Sequence, residues 1–190
     1  MFKKTVGLCL IMVLTACFGG YSPDSSFYRL TPLSEPNQVF LASKSIAVTK
    51  VGLPEYLDRP QMIMLDDNSP QIEIAEFNRW GEDLSNMIQR KMVADLSKYL
   101  PKSKIINAAE EVQPTALDVK IEIIRMDMTK QGQAILEARW YIDNNSGKVL
   151  DSGKFTQSSD IKPTYADYAA AASNLLSEMS LVIAQALSHI

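Results

Sequence analysis

Histidine is nearly missing from this 190-residue chain: there is one, His189, next to last, and only two cysteines, Cys9 and Cys17. Histidine and cysteine supply most zinc sites and most nucleophile–base dyads, so such centres have almost no material here. Glycine is also sparse, at eight residues. Gly19 and Gly20 stand near the N-terminus, while Gly147 and Gly153 fall in hairpin contexts, so no glycine-rich phosphate cradle links a strand to a helix. The carboxylate pairs Asp66-Asp67 and Glu110-Glu111 lie in loop-like segments where charges are simply solvated. These shortages point away from an enzyme, and no cofactor is expected beyond lipid on Cys17.

What is present begins at the N-terminus. Lys3 and Lys4 precede an apolar run from Val6 to Leu14, closed by Leu14-Thr15-Ala16-Cys17. A positive start, a short apolar core and small residues before a cut describe a secretory signal. The run is well short of the roughly 20 residues that cross a bilayer. The cysteine after the small residue makes it a lipobox, so residues 1–16 read as signal peptide and Cys17 as the site of a diacylglycerol thioether and an N-acyl chain. Removal of Cys9 with the signal would otherwise leave Cys17 an unpaired thiol in an exported protein. Two or more acyl chains suffice for stable anchoring. Phe18 follows the cysteine, where aspartate would favour inner-membrane retention, so the periplasmic face of the outer membrane is the expected location.

The mature chain keeps 17 basic and 22 acidic side chains, a formal charge of about −5 that makes nucleic acid a poor partner. Residues 17–26 read as lipidated terminus and tether, and 27–190 as one domain. Alternation of apolar residues marks short strands at 27–30 and 46–48, a hairpin over 61–77 and a short strand at 104–106. A meander follows from Leu117 through Ala134–Ile142 to Val149–Thr156. The phase slips at Ile123-Ile124, which predicts a bulge. Spacing four along Leu84, Ile88, Met92, Leu96 and Leu100 predicts a helix with Glu82 and Asp83 in its first turn and Gln89, Asp95 and Lys98 facing outward. A second amphipathic helix covers 165–187. The expected fold is α+β, with two helices on one face of a mainly antiparallel sheet.

Two segments are more distinctive than a scaffold requires: Leu53-Pro54-Glu55-Tyr56-Leu57-Asp58-Arg59-Pro60, and Phe77-Asn78-Arg79-Trp80 before the first helix. Two readings stand side by side. In one, Tyr56, Leu57 and Trp80 cap the core while Asp58 and Arg59 satisfy local backbone. In the other, Tyr56, Leu57, Asp58, Arg59, Arg79 and Trp80 form a partner surface, since tyrosine, tryptophan and arginine concentrate interface energy.

These segments, behind a lipobox and a short aromatic strand, resemble the PqiC/YmbA-type ABC-transport auxiliary lipoprotein family over essentially the whole mature chain. That family commonly reads Arg-Trp-Ala-Glu-Pro-Leu where this chain has Arg79-Trp80-Gly81-Glu82-Asp83-Leu84. The resemblance implies an outer-membrane lipoprotein that works with an inner-membrane-anchored mammalian-cell-entry (MCE) domain protein in moving lipids between membranes and preserving the envelope. It would be the docking module of a conduit, alone or as a homo-oligomeric collar. Two other roles compete: a direct lipid carrier using Met126, Met128 and Met179, and a structural or pilotin-like envelope lipoprotein.

Overall fold

The computed structural model describes residues 23–66, 68–108 and 115–190. The signal peptide, Cys17 with most of the tether, Asp67, and Glu110-Glu111 lie outside the described residues. In chain order the elements are β1 (Ser26–Tyr28), β2 (Ser45–Val48), β3 (Gln61–Asp66), β4 (Ser69–Trp80), α1 (Leu84–Tyr99), β5 (Lys104–Asn107), β6 (Leu117–Thr129), β7 (Gln133–Asn144), β8 (Val149–Asp160) and α2 (Tyr165–His189). The eight strands form one sheet, and β6 is its axis.

On one side β6 pairs with β7 along its length, and β7 with β8, both antiparallel. This is the meander that the alternating pattern predicts. The β6–β7 register shifts between Ile123 and Arg125, where the phase slips in the sequence. The bulge lets Val119, Ile121 and Ile123 share a covered face with Met126 and Met128. On its other side β6 has two partners, β2 at its start and β3 at its end, both parallel. Strands β1 and β4, and β2 and β5, are parallel as well. The sheet is therefore mixed, which corrects the expectation of a mainly antiparallel one. Alternation reports which face is buried but not strand direction, and β2 acquires β5 as a parallel neighbour through a crossover that includes α1.

One face of the sheet is covered. Along β7, Ala134, Leu136, Ala138, Trp140 and Ile142 are buried, while the alternate residues from Gln133 to Tyr141 are half-buried or exposed. Both helices pack on the sheet and on each other. Trp140 needs space from β8: a Cβ at Gly153 would stand 2.5 Å from its Cζ2. α2 is long and apolar enough to cross a membrane by composition, yet its apolar side is spent against β7, β8 and α1. Thr164 caps it by accepting from the Asp167 N–H.

α1 departs from expectation in two ways. Asp83 is its N-cap, accepting from the Asn86 N–H at 2.8 Å, rather than a first-turn residue. Gln89 and Asp95 are buried instead of facing outward. Gln89 faces β2 of the sheet, and Asp95 is covered by the extended segment 29–44, which packs across the helix layer with the Phe40 N–H donating to Tyr99 O. Asp95 pairs with buried Lys91 at 2.7 Å. Its Oδ1 accepts from the Leu33 N–H (2.7 Å) and its Oδ2 from Ser177 Oγ of α2 (2.8 Å). Lys91 also donates to Thr31 O and Ser177 Oγ, and Gln89 Nε2 donates to Val48 O. Polar side chains are buried here because each meets a partner. Lys98 is anchored from outside, donating to Leu33 O and Ser34 O.

Candidate functional site

The segment between β2 and β3 is an excursion from a single strand line along β6. Beyond β2 the chain still follows β6: Gly52 N–H donates to Ile121 O, and Ile123 N–H donates to Gly52 O, each at 2.9 Å. Residues 53–60 then leave the sheet, and β3 resumes against Met128 and Thr129. Pro54 and Pro60 bracket the excursion with fixed φ angles and no N–H to pair. Inside it the turns are tight: Leu57 N–H donates to Pro54 O, Asp58 N–H to Glu55 O, and Arg59 N–H to Leu57 O.

Tyr56 fills the gap that the excursion opens beside β6. Its hydroxyl lies beside the Met126 backbone. Burial, then the nearby Asp127 carboxylate, push that phenol up to about 12. Leu57 is buried in the core. Asp58 is exposed and Arg59 half-buried. Among the described residues the buried Nε of Arg59 has no hydrogen-bond partner.

The second distinctive segment is joined to the first through the backbone. Gln61 stands opposite Arg79 across the β3–β4 hairpin, and the Trp80 N–H donates to Pro60 O at 2.7 Å. Strand β1 locks onto the same place, with Phe27 opposite Arg79 and Tyr28 opposite Trp80. The Gly81 N–H donates to Tyr28 O, and the Tyr28 hydroxyl to Asn78 Oδ1. The Trp80 indole is buried against Tyr168 of α2, with ring centroids 5.8 Å apart.

An open cleft of about 440 Å³ results, lined by Phe27, Asp58, Arg59, Arg79, Trp80 and Glu82 among others. The structure thus brings Asp58, Arg59, Arg79 and Trp80 together, with Leu57 buried in the core and Tyr56 plugging the neighbouring gap. The capping role of Tyr56, Leu57 and Trp80 is therefore real. It leaves Asp58, Arg59 and Arg79 as the groups able to meet a partner. Acids and bases alternate around the cleft, which suits the mixed polar groups of a protein surface better than an isolated anion. Phe27 and Glu82 were not singled out by sequence reasoning. The signal for Phe27 lies in the Phe27-Tyr28 doublet, since adjacent strand residues face opposite ways and one aromatic must point away from the helices. Met126, Met128 and Met179 are fully buried core residues.

A family model described as "ABC-type transport auxiliary lipoprotein component" matches residues 28–184, which include both distinctive segments. No curated protein matches the chain significantly. Two crystal structures share the fold. One is of an uncharacterized protein, 18% identical with a TM-score of 0.73, covering 86% of this chain and 99% of its own. The other is of a Xanthomonas campestris protein of the DUF330 family, 15% identical with a TM-score of 0.72, covering 84% of this chain and 93% of its own.

Proposed function

This chain belongs to the ABC-type transport auxiliary lipoprotein family, a family of membrane-anchored envelope components, and on that premise we propose that it is the outer-membrane-anchored member of an MCE-type intermembrane lipid transport system. Cys17 carries the acyl chains. The cleft between residues 58–59 and 79–82 is where the MCE-domain partner docks, and the domain holds the end of the conduit in place, supporting envelope integrity.

The observation that carries this reading is the backbone junction of the two distinctive segments. Trp80 N–H to Pro60 O, Gly81 N–H to Tyr28 O and the Gln61–Arg79 register fix three chain segments around one cleft. A rim fixed in this way loses little conformational freedom on binding, which is what a docking surface gains from rigidity. Arginine is among the residue types that dominate interface energies, and Arg59 and Arg79 both line the cleft.

The test is a photo-crosslinking amino acid at Asp58, with Glu178 on α2 as a control position, in cells that express the transport system. Capture of an MCE-domain protein from position 58 and not from 178 is expected. Equal capture at both positions, or none at 58, overturns the docking assignment. Fractionation of a Cys17→Ser chain tests the anchor separately: it should leave the membrane fraction.

A further inference from the structure

The sheet face turned away from the helices is divided in two. On the β6–β8 side it is mostly polar, with Glu122 paired to Arg139 at 3.8 Å and Lys120 to Asp143 at 2.6 Å beside a lone exposed Val149. On the β1–β4 side it is apolar.

Register shows which side chains point there. Met128 of β6 lies opposite Ala134 on the covered face, and Met64 stands beside Met128, so Leu65 and its partner Ile72 face away from the helices. Ile74 points the same way, over its partner Ile63, which is itself buried. Trp80 turns toward α2, which sends Arg79, the adjacent Phe27 and, two residues back, Phe77 to the uncovered side. Phe27 is 66% exposed, Phe77 37%, Ile74 45% and Ile72 43%. From Ile72 to Phe77 the stripe runs about 17 Å along β4. Contiguous exposed apolar surface of this kind marks a protein or membrane contact.

We propose that this stripe is the surface the domain lays against the bilayer that holds its lipid anchor. The inference rests on acylation of Cys17, and what selects a lipid surface over a protein is where the anchored chain enters. β1 carries Phe27 and is the first strand after the tether. Cys17 and Pro23 are six positions apart, a reach of no more than roughly 20 Å at full extension. The acyl chains therefore hold the β1–β4 edge of the sheet near the lipid surface, while β8 lies at the far side of the sheet. Three aromatic or branched side chains on β4 and one on β1 then face the region between headgroups and acyl chains. Arg79 stands where this face passes into the cleft and stays with the docked partner, so the bilayer contact is made by the apolar side chains alone.

The experiment uses the full mature lipoprotein in vesicles of phosphatidylethanolamine and phosphatidylglycerol. Cys9 leaves with the signal peptide and Cys17 is alkylated, so a spin label on Ile74→Cys is unique. Phe77→Cys serves as a second position, and Val182→Cys, exposed on α2, as the aqueous control. Labels at 74 and 77 are expected to collide several-fold more with oxygen and several-fold less with a water-soluble nickel chelate than the label at 182. Flotation and the mass of the N-terminal peptide are read on the same sample. Acylated, floating protein with position 74 as open to nickel as 182 overturns the inference and leaves the anchor standing. Protection at 74 from both reagents assigns the stripe to a second copy of the chain and also overturns it. Unacylated protein that stays in the aqueous fraction overturns anchor and stripe together.

Discussion

Replacing Asp95 by alanine tests whether the strap over the helices is held by buried charge. In the native domain Lys91 donates to Asp95, Thr31 O and Ser177 Oγ, while Asp95 also accepts from Leu33 N–H and Ser177. Asp95→Ala leaves an ammonium with no counter-ion and a backbone N–H with no acceptor. Removing one partner of a buried pair costs about 3–5 kcal/mol. A ceiling follows from proton loss: neutralising a lysine of ordinary value 10.5 at pH 7 costs about 4.8 kcal/mol, at 1.36 per pH unit. Burial already lowers Lys91, opposed by its bond to Asp95, and a neutral amine still donates to Thr31 O and Ser177 Oγ, so the variant takes the neutral form. Its unfolded state then binds one more proton than its folded state. Stability relative to wild type should recover with rising pH by about 1.4 kcal/mol per unit from pH 7 toward 10. Tyr99 and Lys98, which flank the pair, stay in place and report in both proteins. The double variant Lys91→Met/Asp95→Leu should lose only about 1–2 kcal/mol, the cost of the orphaned Leu33 N–H. Urea unfolding of all three proteins at pH 7 and 9 decides. A loss below about 1.5 kcal/mol for Asp95→Ala, against the expected 3–5, or no recovery at pH 9, refutes the buried-charge account.

Gly153→Val places a side chain where a Cβ already stands 2.5 Å from Trp140 Cζ2 and 2.8 Å from Cε2. A loss of about 1–3 kcal/mol in urea unfolding is expected, and most of it should return when Trp140 is also shortened to leucine. Tyr56 gives a pH signature of opposite direction. Its folded value of about 12 lies above the ordinary 10.0, so its contribution is complete below pH 10 and is lost as pH rises through 12. Tyr56→Phe should flatten part of that alkaline fall, and an unchanged pH profile would show that the phenol is not buried beside β6 and Asp127 as described.

The sequence made the meander readable because a period-two pattern and its slip encode register directly: β6, β7 and the bulge at Ile123–Arg125 all follow from which residues are apolar. Strand direction carries no such mark. The neighbours of β2 begin at Lys104 and Leu117, beyond a hairpin and a helix, and nothing in Ile46-Ala47-Val48 distinguishes a parallel partner. Gln89 and Asp95 were misread for a different reason. Asp95 would be exposed only if nothing lay outside the helix, and the segment that covers it has no regular pattern to announce it, whereas Gln89 lies on the sheet side, where its amide meets the Val48 carbonyl. The site was legible only in part. Counting back from Asp66 opposite Ser69 sets Pro60 opposite Ala75, and it is two register shifts in the hairpin, unmarked by the apolar pattern, that carry Pro60 to Trp80.

The interruption of the strand line along β6 is the feature that links fold to role. A continuous strand from Ser45 to Asp66 would give β6 a full ladder, and the chain gives up part of that ladder between Glu122 and Met128 to make room for residues 53–60. Pinning both ends of an eight-residue loop to the same strand removes most of the freedom such a loop would otherwise have. The same loop is tied by Pro60 to Trp80, and β1 is paired to the last three residues of β4. Force or position imposed on the N-terminal tether therefore passes through Ser26–Tyr28 into the strand that forms one wall of the cleft. Beyond β1, the Thr31–Leu33 contacts with Lys91 and Asp95 hold the continuing chain to both helices. Cleft and point of attachment move as one body, so a stripe seated on the bilayer also fixes the height of the cleft. Lengthening the tether should then leave the docked partner where it is, whereas charged residues at Ile74 and Phe77 should free it to move without weakening the cleft itself.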